Sequence, residues 1–257
     1  MLAPSSASPE TAGMSTAALA RVDQHLKQRY IDAGRYPGAQ LMVYRRGKIV
    51  HSSAQGYADL ERKVPVKDDT IFRIYSMTKP VVSAGLMMLY EEGKFSLKDP
   101  VAKYLPKLAN LQVLEEGSAG PVKAGREMTI QDLMRHTAGL SYGLFSKGPV
   151  DDIYNRVRPL DSPDLDAFID KLSTIPLRHQ PGTRWHYSVA VDVQGKLIEV
   201  LSGQRLDQYL EQRIFRPLGM VDTGFTVPKA KQDRFAQLYA TTKTGLQPAQ
   251  PQSSANF

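Results

Sequence analysis

No cysteine occurs among the 257 residues, which removes disulfides, thiolate metal ligands and a cysteine nucleophile together. Any chemistry falls to hydroxyls, amines, carboxylates and five histidines. Long apolar runs are missing too: none approaches the roughly 18 residues of a membrane span. The opening MLAPSSASPETAG has neither the basic start nor the apolar stretch of a signal peptide, so the sequence predicts a globular chain in the cytoplasm with no membrane partner. His25, His51, His136, His179 and His186 show no pair at ligand spacing on one face, and neither a metal nor another cofactor is expected. Basic residues exceed acidic ones by seven, but they are scattered. The densest groups, Arg45-Arg46-Gly47-Lys48 and Lys229 to Lys231, sit at turns without interleaved aromatics, so no nucleic-acid partner is expected. There is no internal repeat.

With 42% hydrophobic residues the chain can bury a substantial core in one large domain or two smaller ones. Residues 1–13 read as a loose arm. In 15–33, Leu19, Val22, Leu26, Tyr30 and Ala33 recur at helical spacing behind Ser15 or Thr16 as cap, with Gly34 as the stop. Gln40 to Tyr44 and Lys48 to Ala54 flank Arg46-Gly47 and predict a β-hairpin. Helices are predicted from about Ser76 to Glu92, from Thr129 to a stop at Gly139, over 164–172, over 189–201 and over 206–215. A weak hairpin follows Phe235, turning at Thr242 to Gly245. This divides the chain into the arm, a sheet-forming opening over 14–78 and a mostly helical part over 79–257.

The most informative residues are Ser76-Met77-Thr78-Lys79, at the start of a very apolar helix. Side chains three apart on a helix share a face, about 5 to 6 Å between Cβ atoms, so the amine can reach the hydroxyl. Pro80 fits a first turn, where its missing N–H has no helical acceptor, and that places Ser76 at the helix start beside unpaired N–H groups and the positive end of the dipole. An apolar helix takes Lys79 out of water. To act as a base at pH 7 its amine must lose about 4 kcal/mol of its preference for the charged form. A rigid turn, Pro181-Gly182-Thr183-Arg184-Trp185-His186-Tyr187-Ser188, leads straight into another helix and can aim Tyr187 into a cleft.

Ser76-Met77-Thr78-Lys79-Pro80, His136-Thr137-Ala138-Gly139-Leu140 and Pro181-Gly182-x-x-Trp185-x-Tyr187-Ser188 together resemble the serine β-lactamase-like superfamily. The nearest branch is the family VIII carboxylesterases, relatives of class C β-lactamases and D-alanyl-D-alanine carboxypeptidases. The likeness runs in order from about Pro37 to Phe225. It implies an α/β (α+β) fold of the β-lactamase/transpeptidase type, an antiparallel sheet flanked by helices plus a mostly helical region. It also implies a serine nucleophile with lysine and tyrosine as proton shuttles, here Ser76, Lys79 and Tyr187, and an acyl-enzyme intermediate. Where the β-lactamase pattern has Tyr-x-Asn, this chain has Tyr187-Ser188-Val189, which favours esters of short acyl chain over lactams. The alternatives are β-lactam or D-Ala-D-Ala processing, and a non-catalytic penicillin-recognising module. Tyr142, Phe145, Tyr154, Trp185 and Val189 are the candidates for the substrate pocket.

Two further motifs are set aside. Gly139-Leu140-Ser141-Tyr142-Gly143 spells a nucleophile elbow, with Asp166 and His179 or His186 in the right order, but an elbow needs a strand before its serine and here a helix precedes. Lys243-Thr244-Gly245 spells a third β-lactamase motif, yet it follows Tyr187 too closely and reads as a hairpin turn. Relatives continue through a last helix and strands that this chain does not contain. The resemblance therefore implies an oxyanion site with the Ser76 N–H as one donor and the second donor missing. It also implies a chain that is inactive or in need of a completing segment, with open strand edges that favour self-association.

Overall fold

The computed structural model describes residues 5–115 and 117–250. From residue 5 onward the expected loose arm is tied down. Ile49 N–H donates to Ser5 O at 3.1 Å and Ala7 N–H to Ile49 O at 3.0 Å, and Pro9–Ala12 closes a 3-10 turn. Residues 1–4 of that arm lie outside the described residues. Helix α1 (Thr16–Leu26) is capped by Ser15, whose hydroxyl accepts from Ala18 N–H, and it widens into a π turn at Lys27–Ile31. Strands β1 (Gly38–Arg45) and β2 (Lys48–Asp59) form an antiparallel hairpin. Arg46 and Gly47 both take positive φ, the pair that matches strand twist in a two-residue turn. Short β3 (Val64–Pro65) pairs with β2 on its other side.

A 3-10 turn at Tyr75–Met77 leads into α2 (Thr78–Glu91), which ends ahead of Gly93 at φ +70°. Strands β4 (Gln112–Val113) and β5 (Val122–Lys123) make a two-residue pair. Helix α3 (Ile130–Arg135) has a full capping box: Thr129 Oγ1 accepts from Asp132 N–H, and Asp132 accepts from Thr129 N–H. It stops at His136, φ +57°, three residues short of the predicted Gly139. Helix α4 (Pro149–Val157) falls where the sequence predicted no helix. Then come α5 (Leu165–Leu172), α6 (Ala190–Ser202) and α7 (Leu206–Leu210), the last running into a π turn at Glu211–Phe215.

The core of this helical unit is the packing of α2 on α6 and α7. Leu86, Leu89, Leu197, Ile198, Tyr209 and Leu210 are all buried, each worth roughly 1.5 to 3 kcal/mol of transfer free energy. Gly85 lets the helices approach: a Cβ there would meet Leu210 Cδ2 at 2.8 Å, and the Tyr209 hydroxyl donates to the Gly85 carbonyl at 3.2 Å. Ser83 donates to Gln194 Oε1 at 2.8 Å, fixing α2 in register with α6.

Strands β6 (Tyr239–Thr242) and β7 (Gly245–Pro248) close a hairpin with Lys243-Thr244 in its turn. Residues 226–250 group with 5–73, not with the helices: Ile71 N–H donates to Arg234 O at 2.8 Å, Gln237 N–H to Ala58 O at 2.9 Å, and Leu60 N–H to the Tyr239 hydroxyl at 2.8 Å. The second compact unit is 74–225. No helix among the described residues is long and apolar enough to cross a membrane.

Candidate active site

Ser76, Lys79 and Tyr187 meet inside the helical unit. Tyr75 has φ +43°, a costly conformation for a bulky aromatic, and it turns the chain so that exposed Ser76 precedes α2. Lys79 Nζ donates to Ser76 Oγ at 3.2 Å, and the Tyr187 hydroxyl lies 2.5 Å from the same oxygen. Tyr187 arrives from a loop laced to the segment after α3. Gly182 N–H donates to Thr137 O at 2.7 Å, His186 N–H to His136 O at 2.8 Å and Val189 N–H to Ser141 O at 3.1 Å. Two of the motifs singled out in the sequence are therefore bonded to one another, and packing of α2 on α6 brings the third to them.

Burial alone would raise the pKa of the Tyr187 phenol, but hydrogen bonding with Lys79 and Ser76 outweighs it and holds the group below its ordinary value. Lys79 Nζ also sits 4.6 Å from the centre of the Tyr187 ring. His136, the residue closing α3, lies 5.1 Å from that ring and is fixed at Nδ1 by the Ser188 hydroxyl and N–H. Burial, then the Lys79 charge, lower its pKa. Sequence reasoning missed Asp192, half-buried in the first turn of α6, whose pKa burial raises to about 6 against the opposing Lys79 charge. A carboxylate five residues beyond the tyrosine, on a helix otherwise apolar at its start, was the available signal.

The pocket candidates divide. Tyr142 stacks on Tyr187 at 5.8 Å, Phe145 meets it edge-on at 5.7 Å and the Trp185 ring lies 6.4 Å away. Phe145 and Trp185 are exposed, so these three form an open aromatic surround. Burial pushes the Tyr142 hydroxyl up to about 12, leaving it a neutral donor. Tyr154 and Val189 do not belong to the surround. Both are core residues, Tyr154 accepting the Ser141 N–H through its hydroxyl and Val189 spending its N–H on Ser141 O.

Ser141, the serine of the apparent elbow, is fully buried. Its hydroxyl donates to Asp151, and His186 Nε2 lies 3.2 Å from it. The carboxylate thus holds the serine and not the histidine, the reverse of a triad relay. Asp166 is on the surface, paired with Lys196.

This geometry has counterparts. A family model described as Beta-lactamase matches residues 20–256. The chain belongs to that family. A Mycobacterium tuberculosis protein is 42% identical over 212 residues, covering 81% of this chain and 52% of the relative. Esterase EstB of Burkholderia gladioli is 35% identical over 243 residues, covering 93% and 58%. The chain spans about half the length of the curated relatives it matches. Among solved structures, EstCE1, a hydrolase with promiscuous acyltransferase activity, superposes with TM-score 0.79 at 32% identity over 91% of this chain and 60% of that one. The mixed helices and antiparallel strands are thus those of the β-lactamase-type fold.

Proposed function

We propose that the protein hydrolyses carboxylic esters of short acyl chain, in the manner of the family VIII carboxylesterases, through an acyl-enzyme on Ser76. The observation that carries this reading is one hydroxyl, on Ser76, within hydrogen-bond reach of both a phenol and an amine. In the first step Ser76 Oγ attacks the ester carbonyl as its proton passes to Tyr187, with Lys79 stabilising the phenolate that receives it. The carbon–alkoxide bond then breaks and the leaving oxygen takes the proton back. Water enters, gives its proton to Tyr187 and releases the acid, regenerating Ser76. The Ser76 N–H, in a helical first turn where N–H groups lack an acceptor one turn back, is the oxyanion donor within the described residues, a contact worth about 3 kcal/mol.

Esters are favoured over lactams because the position two beyond Tyr187 is the buried Val189, which offers a substrate amide nothing polar. The esterase names of EstB and EstCE1 point the same way. The test compares p-nitrophenyl acetate and butyrate with nitrocefin, and maps the adduct of a fluorophosphonate probe by mass spectrometry. Ester cleavage, a Ser76 adduct and loss of both in Ser76→Ala are expected. Turnover of nitrocefin in preference to esters, or an adduct on another serine, would refute the proposal.

A further inference from the structure

The residue before Tyr187 makes contacts that the esterase chemistry does not use. His186 Nε2 lies 3.2 Å from Ser141 Oγ and 3.3 Å from Ser146 Oγ. Each of those hydroxyls has one hydrogen and gives it to the Asp151 carboxylate, which can only accept; Ser146 Oγ reaches it at 2.9 Å and Ser141 Oγ touches it as well. The hydrogen shared with His186 therefore comes from the imidazole, and Nε2 is the nitrogen that carries it. Asp151 is 1% exposed and is held in turn by Arg178. Burial, then the charge of Arg178, lowers the pKa of His186, so the ring is neutral at pH 7 and has one N–H to give.

Ser146 is where this donor matters. It lies in the segment between Gly143 and Gly148 that carries Phe145, the exposed ring that meets Tyr187 edge-on at 5.7 Å and tilts against Tyr142 at 5.2 Å. No backbone N–H or carbonyl of residues 144–147 bonds to another backbone group among the described residues. Side chains hold the segment instead: Ser146 to Asp151 and His186, and the Lys147 carbonyl to Arg178 at 3.1 Å. The main chain of His186 is committed too. Its N–H donates to His136 O at 2.8 Å, and His136 packs 5.1 Å from the Tyr187 ring. One residue thus grips the Phe145 segment with its side chain and the Tyr187 loop with its backbone.

We propose that His186 is a positioning residue: its Nε2–H, through Ser146, fixes the Phe145 ring beside Tyr187, so that a substrate group lying against Phe145 brings its carbonyl to Ser76. The statement about substrate rests on the esterase reading, and the statement about the Phe145 ring does not. Ser141, the other acceptor, is not a neighbour of Phe145 in the chain and serves to satisfy Asp151, whereas Ser146 adjoins Phe145 and transmits the hold. Placement of this kind bears directly on rate, because a shift of about 1 Å in a bound substrate costs up to about 10²-fold.

Two-bond proton–nitrogen correlation spectra of the ¹⁵N-labelled protein, with the His186 signals identified by their loss in His186→Gln, report the tautomer, and the Nε2–H form is expected. Nuclear Overhauser contacts between the Phe145 and Tyr187 rings should be present in the wild type, survive in His186→Gln, whose side-chain amide keeps a donor, and be lost in His186→Leu and in Ser146→Ala. The last variant changes only a half-buried loop hydroxyl, and its melting curve will show it folded. Rates on p-nitrophenyl butyrate and acetate then read the consequence. Phe145→Ala should lower the butyrate-to-acetate ratio of kcat/KM by up to about tenfold, the worth of two methylenes against an apolar wall. Ser146→Ala should lower it in the same direction and add nothing to Phe145→Ala, as expected of a residue that acts through another. An Nδ1–H tautomer, ring contacts unchanged in Ser146→Ala, or additive losses in the double variant would overturn the proposal. The expected ring contacts in a protein that cleaves no ester would refute the esterase reading and leave the placement of Phe145 by His186 standing.

Discussion

The phenol oxygen of Tyr187 lies nearer to Ser76 Oγ than the Lys79 amine does, 2.5 Å against 3.2 Å. Sequence alone makes the lysine the obvious base, because it is three residues away on the same helix. In the folded protein the phenol is the closer acceptor and has its pKa lowered by Lys79 and Ser76 in spite of burial. Tyr187→Phe should therefore reduce kcat for p-nitrophenyl esters about 10²- to 10⁴-fold. The wild-type rate should rise with pH as the phenol ionises, below the ordinary tyrosine value near 10, and that rise should vanish in the variant. A variant within a few-fold of wild type would assign the proton transfer to Lys79 alone.

Asp192 makes a prediction about stability. Its folded pKa is raised, to about 6 from 3.8, chiefly by burial. The fold therefore favours the protonated acid. That contribution is fully present below the unfolded value and is lost as pH rises through 6. Asp192→Asn, which cannot ionise, should be more stable than wild type at pH 8 by about 1 to 2 kcal/mol, allowing for the solvent that reaches this half-buried site. The difference should close below about pH 4. Urea denaturation at the two pH values measures it, and a less stable variant at pH 8 would mean that the ionised carboxylate is held by Lys79 more strongly than burial opposes it.

Periodicity and glycine stops made α2, α5 and α6 legible to within a few residues, and Arg46-Gly47 fixed the opening hairpin, because each signal is local. Helix α4 was hidden by Gly148 and Pro149 before it, although Val150, Ile153, Tyr154 and Val157 keep helical spacing and Pro149 opens the first turn. The Ser76 and Lys79 contact follows from spacing on one helix. That Tyr187 reaches them depends on backbone bonds between segments some fifty residues apart, which no local pattern encodes and only the family resemblance anticipated. Tyr154 and Val189 were misplaced for a related reason: composition marks a residue as apolar without saying whether it faces a cleft or the core.

Ser141 should prove dispensable for chemistry. It is buried, and its hydroxyl is one of the groups that satisfy the equally buried Asp151. Ser141→Ala should leave kcat for p-nitrophenyl esters within a few-fold of wild type while lowering unfolding free energy by about 1 to 3 kcal/mol, the cost of a lost donor to a buried charge. Thermal melts and steady-state rates on the same preparation separate the two effects. Abolished turnover in a protein of unchanged stability would restore the elbow serine as a nucleophile.

Asp132 links stability to the geometry of the site. Its carboxylate accepts from Arg126 at 2.6 and 3.0 Å, from Thr129 N–H and hydroxyl at 2.9 and 2.8 Å, and from the Thr137 hydroxyl at 3.0 Å. Burial would raise its pKa, but these donors outweigh it and bring the value to about 2. A lowered folded pKa contributes stability above the unfolded 3.8 that is lost as pH falls through 2. Asp132→Asn should therefore cost about 2 kcal/mol at pH 7, with the gap to wild type narrowing between pH 4 and 2. The same residue holds Thr137, whose carbonyl receives the Gly182 N–H at the head of the loop that carries Tyr187. Loosening Thr137 loosens that loop, so the variant should also lose ester turnover at a temperature where it remains folded. Full activity in a destabilised Asp132→Asn protein would show that the loop is held by its other backbone bonds and that the link ends at α3.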